Sequence, residues 1–259
     1  MAARSGTCPP TGSLALVTGA SSGIGLAAVT QLLESRPAGR VLAVSRRASG
    51  CAALDALESA HPGRLLRRDV DLSEAAAIDD LPASIDDDAG RLDLVFHCAG
   101  LLHDADMNPE KSLAQLDATA LARSFALNAF APVLLLRALL PRLKTAGQAH
   151  FASLSARVGS ISDNRLGGWY SYRAAKAAQN QLLKTAAIEL RRSARGLCVV
   201  MLHPGTVDTP LSAPFQGGVP ADRLFTPERA ARQLLGIIES LGPEDSGRFV
   251  AWDGRDVPW

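Results

Sequence analysis

Residues 14–25 read Leu-Ala-Leu-Val-Thr-Gly-Ala-Ser-Ser-Gly-Ile-Gly, and no other stretch limits the fold as tightly. Leu14, Ala15, Leu16 and Val17 form an apolar run with no polar face, as expected of a strand covered on both sides in a parallel sheet. Gly19, Gly23 and Gly25 follow it. Glycine at such positions permits a tight turn, lets backbone N–H groups approach a pyrophosphate, and lets the next helix pack closely on the strand. Free N–H groups and the partial positive charge of the helix start favour a phosphate-bearing ligand. Thr18, Ser21, Ser22 and Ile24 belong to the same concavity. An ordinary glycine-containing turn is the alternative, since the spacing matches neither G-x-G-x-x-G nor the P-loop.

The turn is followed by a helical pattern over 26–34 that stops near Pro37 and Gly39, then by a second apolar run over 41–45. That is strand–helix–strand order, which implies a right-handed crossover and a parallel sheet. Further strands are expected at 65–68, 92–96, 149–154, 197–202 and 248–251. Helical periodicity covers 112–143, the segment from Tyr172 to about Arg191, and 227–241. Asp71 fits the N-cap of a segment starting at Leu72. Together these predict an α/β fold, a Rossmann-like doubly wound parallel sheet of about seven strands with helices on both faces. Residues 1–13 are expected to be a flexible tail and 14–259 a single domain.

Ser45 and Arg46 stand where the second strand ends. A carboxylate there would hydrogen-bond a ribose 2′-hydroxyl, whereas a guanidinium can grip a 2′-phosphate. The expected cofactor is therefore NADP(H) rather than NAD(H), with Arg46 the main contact and Ser45 assisting; a pair of solvated arginines at 46 and 47 is the alternative.

The net charge of +1 gives no basis for nucleic-acid or membrane binding through bulk electrostatics. No uninterrupted apolar run of ~18 residues suggests a membrane span. The four cysteines form no C-x-x-C pair, so neither zinc nor a disulfide framework is indicated, and reduced thiols in a cytoplasmic protein are expected. Asp86, Asp87 and Asp88 read as a solvated loop rather than a metal site.

Chemistry concentrates in the second half. Asn128 interrupts an apolar helical run, so its amide needs partners if buried. Ser155 follows the strand at 149–154, at the sheet end where ligands collect. Tyr172 and Lys176 share a helix face one turn apart. A phenol with a pKa of about 10 is a poor acid or base near neutrality, and an adjacent ammonium favours the phenolate. Tyr-x-x-x-Lys alone occurs by chance on many helices. The ordered set of Thr18-Gly19-x-x-x-Gly23-x-Gly25, Asn128, Ser155 and Tyr172-x-x-x-Lys176 is far less common, and it resembles the short-chain dehydrogenase/reductase family over nearly the whole chain.

The resemblance implies hydride transfer between NADP(H) and a small carbonyl or alcohol. Tyr172 would be the acid/base, Lys176 would lower its pKa and hold the nicotinamide ribose, Ser155 would orient the carbonyl, and Asn128 would bend its helix and hold a relay water. Asp69 and Val70 would meet the adenine, and Cys98, Ala99 and Gly100 would let the cofactor lie against a strand end. Pro204, Gly205, Val207 and Thr209 would support the nicotinamide and phosphates. His97 and Cys98 depart from the family's Asn-Asn pair. The seventeen residues from Ser155 to Tyr172 imply an insertion within 160–168 beside the substrate, similar to the C-factor-like branch. Residues 210–226 would be a lid, and His203 a positioning residue. A homodimer or homotetramer is expected, with the indoles of Trp252 and Trp259 on an exposed terminus packing against a sister subunit. A dinucleotide-binding sensor without turnover and a lyase or epimerase on the same scaffold are the rival readings.

Overall fold

The computed structural model describes residues 12–36 and 38–259. Most of the expected tail, residues 1–11, lies outside the described residues. Ser13, also assigned to it, is instead the first residue of a strand, paired with Arg91.

The strands are β1 Ser13–Thr18, β2 Arg40–Ser45, β3 Leu65–Asp69, β4 Arg91–His97, β5 Ala149–Leu154, β6 Leu197–His203, β7 Thr206–Val207, β8 Leu224–Phe225 and β9 Phe249–Ala251. The helices are α1 Gly23–Ser35, α2 Ala52–Ala60, α3 Ala75–Asp80, α4 Ala118–Phe125, α5 Ala131–Thr145, α6 Tyr170–Ser193 and α7 Pro227–Ser240. The main sheet runs β3–β2–β1–β4–β5–β6–β9, parallel throughout, and β7 with β8 forms a separate small pair. Strand order reverses between β1 and β4, which opens a crevice at the carboxyl ends of those strands.

Helices cover both faces. Leu32 and Leu33 of α1 pack with Leu234 and Ile238 of α7 on one side. Leu135 and Leu139 of α5 pack with Leu183 and Leu190 of α6 on the other. Each such leucine, removed from water, contributes on the order of 2 kcal/mol, so the sheet is held flat-on from two directions and its strand ends stay aligned.

The expected helix over 112–143 begins later and is broken. Asp117 starts it, its carboxylate accepting the Ala120 N–H at 2.8 Å. Residues 126–130 then form a wide π turn between α4 and α5. The continuous run Ala118–Thr145 has the length and composition to cross a membrane, yet in this fold its Leu135, Leu136, Leu139 and Leu143 are buried against the sheet. Asp71 is not the expected N-cap, because its carboxylate closes a local turn onto Ser73 and α3 starts only at Ala75. Nor do the two terminal indoles project freely. Trp252 packs edge-on against Phe225 at 4.8 Å between centroids, and Trp259, though 45% exposed, lies against Phe249 at 5.6 Å. The Trp259 carbonyl accepts the Ser162 N–H at 3.0 Å, tying the 160–168 loop to the far end of the described chain.

Candidate active site

The glycine turn sits at the crevice. Gly19 has φ +64°, and a Cβ there would lie 2.9 Å from the Ala99 nitrogen. A Cβ on Gly25 would lie 2.3 Å from the Gly19 carbonyl oxygen, so α1 starts as close to β1 as backbones allow. Thr209 reaches the same turn, its Cγ2 standing 2.9 Å from where a Gly23 Cβ would be. Ser22 is the N-cap of α1 but gives it no side-chain hydrogen bond, and no acidic side chain occupies the first turn. The donors of Gly23 to Gly25 therefore face the crevice with their partial positive charge uncompensated.

Thr18 ties this turn to β4. Its hydroxyl oxygen accepts the N–H groups of Cys98 at 3.1 Å and Ala99 at 3.3 Å, so its own proton goes to His97 Nδ1 at 3.0 Å. That fixes His97 with its remaining proton on Nε2, a buried atom with no partner, and burial takes its pKa down to about 3. His97 thus stays neutral and holds the strand end where the family's pattern has asparagine.

At the ends of β2 and β3, Ser45 is buried with its hydroxyl unpaired, while Arg46 is exposed and makes no hydrogen bond or ion pair among the described residues. Asp69 is less free than the sequence suggests. Its Oδ1 accepts the Ser49 N–H at 2.8 Å and its Oδ2 accepts the Ser49 hydroxyl, which holds its pKa below the ordinary carboxylate range. Val70 is half-buried on the core beside it. A dinucleotide fits this half of the crevice. The close-packed glycines leave backbone donors that would meet a pyrophosphate, and the unpaired Ser45 hydroxyl and Arg46 guanidinium would be available to the adjoining ribose.

The other half converges on α6. Asn128, in the π turn, accepts the Leu101 N–H at 2.9 Å and donates to the Leu101 carbonyl at 2.7 Å and Ser124 Oγ at 3.2 Å. The expected local bend is present, and the amide acts as a clamp on the loop after β4. A Cβ on Gly100 would be 3.3 Å from Asn128 Oδ1 and 4.0 Å from Lys176 Nζ, so Gly100, Asn128 and Lys176 meet at one point. Lys176 is buried and donates to the Leu154 carbonyl and Gln179 Oε1, both at 2.8 Å. Gln179 in turn donates to Ser153 Oγ at 2.8 Å.

Ser155, expected to orient a substrate carbonyl, lines the same cavity as Tyr172; the residue is 3% exposed and its hydroxyl donates to Asn180 Oδ1 at 2.7 Å. Ala156, next along, lines the cavity as well and is more exposed. Lys176 was expected to lower the Tyr172 pKa. Its ammonium stands 5.7 Å from the centre of the Tyr172 ring and gives hydrogen bonds elsewhere. Burial dominates, pushing the phenol above its ordinary value and the lysine down to about 7. Tyr172 is half-buried, and its hydroxyl makes no hydrogen bond to the described residues.

Tyr172 lines a cavity of about 520 Å³ with Ile24 from the glycine turn, Ala156, Pro204, Val207 and Phe215. Gly205 passes close to the Phe225 ring, 2.8 Å from where a Cβ would sit, and the Val207 carbonyl accepts the Ser212 hydroxyl at 2.5 Å. Residues 208–226 close the cavity, with Phe215 packing on Trp169 at 5.0 Å and on His103 at 5.6 Å. His203 Nδ1 accepts the Arg157 N–H at 3.4 Å, and burial takes its pKa down to about 4, which makes it a neutral positioning group.

The sequence reading missed Trp169, which lines the cavity, and Glu110, which holds it in place. Trp169 caps α6 in the left-handed region at φ 52°, a costly conformation for a bulky residue. Glu110 holds it, since its carbonyl accepts the Trp169 N–H at 2.5 Å and its buried carboxylate accepts both the N–H and the hydroxyl of Ser171. Neither contact leaves a local trace in sequence. Gln179 and Asn180 carry a weak one, lying three and four residues beyond Lys176 on the face that meets β5.

A glycine-lined dinucleotide crevice opposite a tyrosine–lysine helix face defines a hydride-transfer oxidoreductase that uses a nicotinamide dinucleotide. The chain belongs to the short chain dehydrogenase family, whose model matches residues 13–218. It is 33% identical over 205 residues to 1-hydroxy-2-glutathionyl-2-methyl-3-butene dehydrogenase of Rhodococcus sp. (strain AD45), covering 79% of this chain and 85% of that protein. It is 35% identical over 148 residues to the C-signal of Myxococcus xanthus, covering 57% and 84%. Among solved structures, the NADPH-bound carbonyl reductase from chicken fatty liver superposes with a TM-score of 0.83 at 30% identity, covering 96% of this chain and 100% of that one.

Proposed function

We propose that the protein is an NADP(H)-dependent carbonyl reductase or alcohol dehydrogenase acting on a small, fairly apolar carbonyl or alcohol. The observation that carries this is the Tyr172 hydroxyl, unpartnered and on the wall of the cavity, with the Lys176 amine one helical turn behind it. The dinucleotide, when bound, supplies or accepts the hydride. Tyr172 gives its proton to the carbonyl oxygen in reduction and takes it back in oxidation. Lys176, held near 7, exists in both protonation states at neutral pH, which suits a group that returns the proton to Tyr172. Asn128, beside Gly100 and Lys176, is where a relay water would bridge. The apolar lid excludes solvent from the reacting carbonyl.

Preference for NADP(H) is supported by Arg46, exposed and unpaired at the end of β2, and by the NADPH bound to the chicken carbonyl reductase. Assembly into a homodimer or homotetramer is supported by exposed Leu113, Phe130 and Ile188, and a monomer by light scattering at micromolar concentration would refute it. The thiols of Cys51, Cys98 and Cys198 stand free, which suits a reducing compartment, and we infer the cytoplasm.

The deciding experiment screens aldehydes, ketones and alcohols by NADPH absorbance with Tyr172→Phe as control. The variant is expected to lose about 100-fold or more in kcat while binding NADPH normally. A Tyr172→Phe protein that keeps its rate refutes the assignment.

A further inference from the structure

We infer that the substrate carries a carboxylate, and that Arg165 reads it at the mouth of the cavity beside Tyr172; this rests on the oxidoreductase reading above. The walls are mostly apolar, with Trp169 and Phe215 packed together over one side. Their charges are not balanced. Arg157, Arg165 and Arg173 all line the cavity, and Asp163 is the only carboxylate among its described lining residues.

The three guanidinium groups differ in what holds them. Arg157 is paired with Asp163 at 3.5 Å, so these two charges offset each other. Arg173 follows Tyr172 in the chain and is pinned by neutral acceptors, its Nε donating to the Gly168 carbonyl at 3.0 Å and its Nη1 to the Val158 carbonyl at 3.3 Å. No carboxylate lies within ion-pair distance of it among the described residues. Arg165 is exposed at the mouth and makes neither hydrogen bond nor ion pair among the described residues, leaving its five N–H donors free for a ligand. The half-buried guanidinium of Arg173 faces an apolar cavity without a counter-charge, and Arg165 adds a second unpaired cation at its mouth, an arrangement that favours an anion there. A planar carboxylate on an apolar body satisfies both features: the body fills the aromatic side and the anion meets the fork of Arg165 over the fixed charge of Arg173.

The prediction separates from general reductase activity. With NADPH, 4-carboxybenzaldehyde is expected to exceed its methyl ester in kcat/KM by about tenfold, and the advantage to shrink as salt is raised. Arg165→Met breaks no contact of the fold, and it is expected to lower kcat/KM for the acid about fivefold more than for the ester, through KM. Calorimetry of the NADPH-loaded protein gives a readout without turnover: benzoate should bind more tightly than benzamide, by a margin that Arg165→Met reduces. If neither aldehyde is reduced but that margin is found, the carboxylate assignment stands and the reductase reading falls. An ester used as well as the acid, an Arg165→Met effect equal on both, or absence of both turnover and Arg165-dependent binding overturns the assignment.

Discussion

Replacing Ser155 with alanine distinguishes a serine that touches substrate from one that holds the scaffold. Its hydroxyl donates to Asn180 Oδ1 at 2.7 Å in a buried setting, and the Asn180 amide nitrogen already has no partner. Ser155→Ala therefore leaves the whole Asn180 side chain buried and unsatisfied between β5 and α6. One such stranded polar group costs about 1–3 kcal/mol. In a domain of this size each kcal/mol lowers Tm by roughly 2–4 °C, so a fall of roughly 2–12 °C is expected. Because Ser155 also lines the cavity beside Tyr172, kcat/KM for a carbonyl substrate should fall as well, by about 100-fold or more, the loss expected where a donor to a reacting carbonyl is removed. Differential scanning calorimetry and steady-state kinetics with NADPH on the same preparation give both numbers. A kcat/KM within about threefold of wild type, with the expected fall in Tm, would mean that Ser155 only holds the scaffold and would refute its assignment to the substrate.

Arg46→Ala should lower kcat/KM for NADPH by about 10–100-fold while changing the NADH value little, because a charge-assisted contact to the 2′-phosphate is lost; an unchanged ratio of the two refutes the cofactor preference. Burial also makes stability depend on pH. Lys176 is held down to about 7 from an ordinary 10.5, so unfolding takes up a proton between those values and stability should rise as pH goes from 7 towards 10. Lys176→Met should flatten that rise in a series of Tm measurements, and a parallel pH profile in wild type and variant would exclude the shift.

Which parts of this were legible in sequence depends on how local the physics is. The apolar runs at 14–17 and 41–45 needed only their own side chains to declare buried strands, and β1 and β2 lie there. The glycine spacing declared a close approach that Gly19 and Gly25 make. Tyr172 and Lys176 are one turn apart, so their shared face followed from helix geometry alone. The hydrogen bond from Ser155 to Asn180 escaped because the two lie 25 residues apart on different elements, a relation that no spacing rule encodes. The bend at Asn128 followed from the family resemblance, but its form, a π turn over 126–130 with the amide bonded to Leu101, did not, because that partner lies 27 residues away. Helix α2 escaped for another reason, since only Leu54 of its nine residues is buried and it carries little apolar period. Trp169 in a left-handed conformation could not be foreseen without Glu110, which a loop brings from 59 positions earlier.

The tie between Ser162 and the Trp259 carbonyl separates the molecule's two halves in their vulnerability. One wall of the reaction chamber is moored to a residue that touches neither the nucleotide pocket nor the phenol. Loosening the mooring, by repacking Trp259 against Phe249, would let that wall drift while the glycine-rich half kept its shape. Selectivity among substrates can therefore be retuned from a distance, at a position where change does not endanger the chemistry itself.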